Sequence, residues 1–189
     1  PDDLIVDLNS YNKLHFIGDL QGCYYPLEKY LQDEGGLKKN EFYIFVGDYM
    51  DRGIQNDKCL EFVNDHMDDE NVVLVMGNHE RHLYNYANDL LRPPNDFMHN
   101  TLPQLHRAKM SKEYLKNLYQ HMKLFHFASY REKKIFTSHA GLTGIPSHPH
   151  LLNHDEYLRG YGGYSYNVDK KFQELNEENE WYQVHGHRN

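Results

Sequence analysis

The chain is short of cysteine, of tryptophan and of long apolar runs, with two Cys and one Trp in 189 residues. Cys23 and Cys59 are too few for a disulfide framework, and reduced thiols are expected. No run approaches the roughly 18 to 20 apolar residues that a bilayer-crossing helix needs, and the start carries no signal-peptide pattern. No membrane association and a cytoplasmic placement are the expectation. Positive charge is scarce as well: 20 Lys and Arg stand against 28 Asp and Glu, a formal net charge of −8 with a pI near 5.9. That balance excludes broad electrostatic binding to nucleic acid or to an anionic membrane surface. It does not exclude a phosphorylated substrate, because divalent cations gathered at one place reverse the local sign. Internal repeats and low-complexity segments are absent too.

What is present suits one well-buried core, and residues 1–189 are expected to form a single domain. The chain opens at Pro1 without a methionine and stops at Asn189 inside a His-rich motif, the pattern of an excised or truncated piece. Lys13 to Ile17 reads as a strand, and Pro26 to Glu34 as a helix closed by Gly35-Gly36. Phe42 to Val46 and Val72 to Met76 are continuous apolar runs, the mark of strands buried on both faces. Leu60, Val63 and Met67 form a helical stripe between them. The strand-helix-strand order, with connections long enough for parallel crossovers, gives the α/β class.

A helix from Glu80 is expected to run to Pro93-Pro94, with Arg81 and His82 at its solvated start. Residues 95–109 read as irregular or weakly helical, Ser111 as the N-cap of a helix bearing Leu115, Leu118 and Met122, and 95–123 as a possible helical cap insertion. Residues 124–130 and 134–138 look like a hairpin, 169–178 like a polar helix and 181–184 like a last strand. The segments 144–153, which carries His148 and His150, and 160–166 read as loops. The cluster of His148, His150 and His154 reads as surface, and Cys23 as a packed thiol.

Three stretches share one design: Gly18-Asp19-Leu20-Gln21-Gly22, Gly47-Asp48-Tyr49-Met50-Asp51-Arg52-Gly53 and Gly77-Asn78-His79-Glu80. Each follows an apolar run, so each strand delivers oxygen or imidazole donors at its C-terminal end, where α/β sheets build their sites. His139 and His187 follow two later strands, although His185 lies two residues before His187 and a register shift would exchange them. Hard divalent metals take carboxylate, amide oxygen and imidazole, and a paired site needs a bridging carboxylate. This set offers all of them.

The ordered motifs GD-x-[HQ]-G, GDxxDRG, GNHE, HAG and GH resemble those of the calcineurin-like metallophosphoesterases, and within them of the phosphoprotein phosphatases. The match runs over nearly the whole chain. The resemblance implies a two-sheet α/β sandwich flanked by helices, with two divalent metals at the C-terminal ends of the strands: Mn²⁺ first, with Fe, Zn, Ni or Co as alternatives. It implies that Asp19 and Gln21 serve the first metal, that Asp48 bridges, and that Asn78, His139 and His187 hold the second. Arg52 would grip phosphate oxygens with its planar donor fork, the alternative being a surface pair with Asp51 or Asp57. His79 would act as general acid with Asp51 orienting it, and Arg159 as a second phosphate-gripping arginine. The implied reaction is direct attack on phosphorus by a hydroxide held between the metals.

Gln21 stands where the family usually has histidine, and Gly22-Cys23-Tyr24 after it is similar to the opening of some symmetrical diadenosine tetraphosphatases. Asp51-Arg52 is closer to protein phosphatases and to bacterial RNA-repair phosphatases. Phosphoserine or phosphothreonine in proteins is therefore the first expected substrate. Dinucleoside polyphosphates or nucleic-acid phosphate ends come second, with Tyr161, Tyr164 and Tyr166 available to stack a base. A degenerate protein-binding platform is the reading from another class.

Overall fold

The computed structural model describes residues 1–176 and 180–188. Two sheets face each other. One is β2 (Lys13–Ile17), β3 (Glu41–Phe45) and β4 (Val72–Leu74), parallel throughout in the order β2-β3-β4. The other has the order β1-β5-β6-β7 and consists of β1 (Ile5–Asp7), β5 (Phe125–Tyr130), β6 (Lys133–Ser138) and β7 (Trp181–Val184). In it β5 and β6 are the antiparallel hairpin expected of 124–138, while β1 and β7 add parallel strands at its two edges.

Side-chain alternation explains why β3 reads as an unbroken apolar run. Phe42 and Ile44 point between the sheets with Val73, Ala128 and Ile135. Tyr43 and Phe45 point the other way, into a larger core built with the helices. Those helices are α1 (Tyr24–Glu34), α2 (Asn56–His66), α3 (Glu80–Ala87), α4 (Leu102–Arg107) and α5 (Lys112–His121). The outer face of the second sheet, carrying Phe127 and Phe136, is covered by Tyr157 of α6 (His154–Arg159).

Several boundaries differ from the sequence reading. The helix α1 begins two residues before Pro26, which sits in the first turn where an N–H has no helical partner to lose; it ends at Gly35 in the left-handed conformation (φ 81°). The helix α3 stops at Ala87, well before Pro93-Pro94, because Asp89 turns back at φ 53°, and this leaves Leu90 exposed. The segment from Asn95 holds a π-helical turn (Phe97–Thr101) and α4, with Phe97, Leu102 and Leu105 buried in the main core. Ser111 caps α5 by accepting from the Tyr114 N–H.

The histidine cluster is less loop-like than expected. Pro149–Leu151 forms a 3-10 turn, and Asn153 caps α6 by accepting from the Asp155 N–H at 2.9 Å. The polar helix α7 spans Val168–Leu175; its expected end at Glu178 lies outside the described residues. Cys23 is exposed rather than packed, at the entry to α1, while Cys59 is buried on α2 and both are free.

Candidate metal centre

The connections leaving β2, β3, β4, β6 and β7 converge. Asp19 follows β2, Asp48 follows β3, Asn78 and His79 follow β4, His139 follows β6, and His187 follows β7. The chain must bend hard to present them. Gln21 (φ 47°), Asp48 (φ 53°), Asp51 (φ 104°) and His187 (φ 63°) all sit in the left-handed region, which costs about 1 to 3 kcal/mol each for such residues. Strain of this kind persists only where surrounding bonds hold it.

Glu80 supplies many of those bonds. Fully buried, its Oε2 accepts from the N–H groups of Asp48 (2.9 Å) and Gly77 (2.7 Å), and its Oε1 from that of Tyr49 (2.9 Å). One carboxylate thus ties the second motif to the third. Burial first, and the field of Asp48 second, push the Glu80 carboxyl up to about 7. Its presence in GNHE was visible in the sequence, but its three-way clamp was not.

At the centre, Asp48, His139 and His187 each present a ligand atom within 4.8 Å of the others. The Asp48 Oδ2 lies 3.3 Å from His139 Nε2, and its Oδ1 accepts from the His79 N–H at 3.0 Å. His139 Nδ1 donates to the Val46 carbonyl at 2.8 Å, which fixes the tautomer and turns Nε2 toward Asp48 and toward Asn78 Oδ1 at 3.1 Å. Burial opposes charge on both Asp48 and His139, but their mutual hydrogen bond and field outweigh it, lowering the Asp48 pKa and raising that of His139. The His187 imidazole is pushed down to about 4 by burial and by His139, leaving it a neutral donor at physiological pH.

Asp19 stands beside this group, its carboxylate accepting from the His187 N–H at 3.1 and 3.3 Å, with His139 Nδ1 at 4.0 Å. Gln21 directs its amide to Asp48 Oδ2 at 3.4 Å. His187, not His185, joins the group: the chain turns out of β7 after Val184, and His185 instead meets Asp169 at 3.0 Å. A buried and a partly buried carboxylate, an amide oxygen and two imidazoles, that of His139 with its tautomer set from behind, form a donor set that fits divalent metals.

A second cluster adjoins the first. Asp51 Oδ2 receives the Nδ1 of His79 at 2.6 Å, and His79 Nε2 lies 3.8 Å from Asp48 Oδ2. Arg52 is exposed, and among the described residues neither Asp51 nor Asp57 pairs with it. Arg159, at the end of α6, lines a cleft of about 200 Å³ with Asn78, Tyr164 and His187. Tyr164 stacks on the His187 ring at 5.0 Å.

Two residues here carried no sequence signal. Arg188 threads the 159–166 loop, donating to the carbonyls of Ala140, Arg159, Tyr161, Gly163 and Tyr166. His82, expected at a solvated helix start, turns inward to Asp51 at 2.6 Å, while Arg81 pairs with Asp155 on the surface.

Residues 13–189 match the family described as calcineurin-like phosphoesterase. The symmetrical bis(5'-nucleosyl)-tetraphosphatase of Pseudomonas fluorescens is 33% identical over 126 residues, which is 67% of this chain and 40% of that protein. The zinc-dependent endopolyphosphatase of Saccharomyces cerevisiae is 35% identical over 77 residues, 40% of this chain and 22% of that protein. The chain thus spans less than half the length of these relatives. Among solved structures, a protein serine/threonine phosphatase from Saccharomyces cerevisiae with similarity to human phosphatase PP5 superposes with a TM-score of 0.57. The two are 16% identical, over 96% of this chain and 65% of that one. A putative diadenosine tetraphosphatase gives a TM-score of 0.54 at 16% identity, over 79% and 63% of the respective chains. At such identities the structural likeness is one of fold.

Proposed function

Because the chain belongs to the calcineurin-like phosphoesterase family, we propose that it is a metal-dependent phosphoric ester hydrolase whose substrate is phosphoserine or phosphothreonine in proteins. The observation that carries the reading is the adjacency of two clusters. The group Asp48, His139 and His187 could hold a cation, and His79, backed by Asp51, stands 3.8 Å from Asp48. Asp19 and Gln21 would serve one metal, Asn78, His139 and His187 the other, with Asp48 between them. Two divalent ions, Mn²⁺ in this reading, would supply Lewis-acid stabilisation of charge on phosphoryl oxygens and activation of water.

The protein's own groups do the rest. Arg52, exposed and without a carboxylate partner among the described residues, is free to fork onto phosphate oxygens. Arg159 lines the cleft with Asn78 and His187. His79 donates Nδ1–H to Asp51, so Nε2 is the end that holds a proton for the leaving oxygen. An open cleft of about 200 Å³ suits a phosphorylated side chain carried on a larger surface. Residues 1–189 acting as one domain, in the cytoplasm, complete this reading.

A second reading has support of its own. A relative named for a symmetrical nucleosyl tetraphosphate is 33% identical over 67% of this chain, and exposed Tyr164 beside His187 offers a face on which a base could stack. Turnover of a phosphopeptide, diadenosine tetraphosphate and a 3′-phosphorylated oligonucleotide, each with Mn²⁺ and with chelator, separates the two. Hydrolysis of the phosphopeptide alone supports the first reading, and of the nucleotides alone the second. No cation-dependent hydrolysis of any of them, nor of an aryl phosphate, sinks both and favours a binding platform.

A further inference from the structure

Asp51 is held by more donors than a pairing with His79 explains. Its side chain is wholly buried, and its Oδ2 receives two imidazole donors, His79 Nδ1 and His82 Nδ1, each at 2.6 Å. Its Oδ1 receives the Thr101 hydroxyl, also at 2.6 Å. The backbone is fixed as well: Asp51 N donates to Asn56 Oδ1 at 2.7 Å, and its carbonyl accepts from Asn100 Nδ2 at 2.6 Å. A carboxylate serving one histidine needs one donor on one oxygen. Here further donors reach the carboxylate from α3 and the π-helical turn, while α2 holds the backbone N–H.

We propose that His82 is a positioning residue for the reaction: it donates to the Asp51 oxygen that His79 uses, and so locks the carboxylate against rotation. His79 and His82 lie three apart at the head of α3, and that spacing puts both on one helix face. Their rings meet edge to face at 5.1 Å, and His82 rests in turn against Phe97 of the main core. With Thr101 on one oxygen and His82 on the other, the direction of the acceptor offered to His79 is set independently of His79 itself. Nε2 of His79 then keeps its aim while substrate and product exchange. With His82 removed, Oδ2 has one donor, and that donor is the group meant to be steered. This inference rests on His79 being the general acid.

The test compares Mn²⁺-loaded wild type, His82→Leu, His82→Asn and His79→Asn on phenyl phosphate and p-nitrophenyl phosphate. Phenolate is the poorer leaving group and needs the acid's proton; nitrophenolate departs largely without it. For His82→Leu, kcat on phenyl phosphate should fall about tenfold, a fraction of the 10² to 10⁴ that a placed acid contributes, with a much smaller loss on p-nitrophenyl phosphate and KM unchanged. His82→Asn should restore most of the loss, since its amide N–H stands where the imidazole Nδ1–H stood. Equal losses on both substrates, no loss on either, or an Asn variant no better than Leu would overturn the positioning role. His79→Asn locates the failure: if it too fails to discriminate between the substrates, the acid assignment falls and the role of His82 with it.

Discussion

Asp51 shows how a single side chain can be read in both stability and chemistry. Burial pushes its pKa up, but the hydrogen bonds from His79, His82 and Thr101 outweigh burial and bring it down to about 2. A carboxyl held below its unfolded value stabilises the fold above that value, and the contribution disappears as pH falls through about 2. At 1.36 kcal/mol per pKa unit the difference is on the order of 2 kcal/mol. Asp51→Asn should therefore flatten the acid limb of a stability profile between about pH 4 and pH 2, measured by urea unfolding of the metal-free protein. An unchanged slope would show that the three donors are not engaged. Glu80 makes the complementary case. Glu80→Gln puts an amide NH₂ against backbone donors that now find oxygen on both sides, leaving at least one buried N–H unpaired. The expected cost is about 1 to 3 kcal/mol in the same unfolding assay.

The turns between elements, more than the elements, decide whether the donors meet. After β7 the backbone passes so close to Asp19 that a Cβ on Gly186 would lie 2.0 Å from Asp19 Oδ1 and 2.9 Å from Val46 Cγ2. Gly186→Ala should displace the Asp19 carboxylate and weaken manganese binding roughly 10 to 100-fold while the far-UV spectrum stays native. Two ions bound with wild-type affinity, read by calorimetric titration, would contradict this. The strands that feed these turns were legible in sequence because β3 and β4 are apolar on both faces, and the hairpin because its runs flank a charged turn. Less of the support was legible. Residues Ile5–Asp7 are too short a run to read as a strand, and become one by pairing with β5. Asn100, Thr101 and Gln104 look like loop residues because their polarity is spent on Asp51, Gly53 and Asn56 rather than on water. His82 looked solvated for the same reason: its partner lies 31 positions earlier. The motif residues themselves could be named from the sequence, whereas what holds them in place is visible only in the fold.

For the whole molecule, a formal charge of −8 is compounded at one place by Asp19, Asp48 and Asp51, which gather around the imidazoles of His79, His82 and His139. The electrostatic tension there is legible in Asp19, whose pKa is raised by burial first and by the negative field of Asp48 as well, against the opposing pull of His139. A divalent cation relieves that repulsion in the folded state and finds no such gathering of donors in the unfolded one. Binding linked to folding in this way adds RT ln(1 + [L]/Kd), about 2.7 kcal/mol when the free ion stands at 100 times its dissociation constant. For a domain of this length each kcal/mol moves the melting midpoint by roughly 2 to 4 °C, so one filled site should raise Tm by roughly 5 to 10 °C. Differential scanning calorimetry with Mn²⁺ and with EDTA measures the shift directly. Asp48→Asn should abolish most of it, because the substitution removes one negative charge from the carboxylate proposed to lie between the two ions. A wild-type Tm indifferent to chelation would mean that these side chains gather for some purpose other than holding cations.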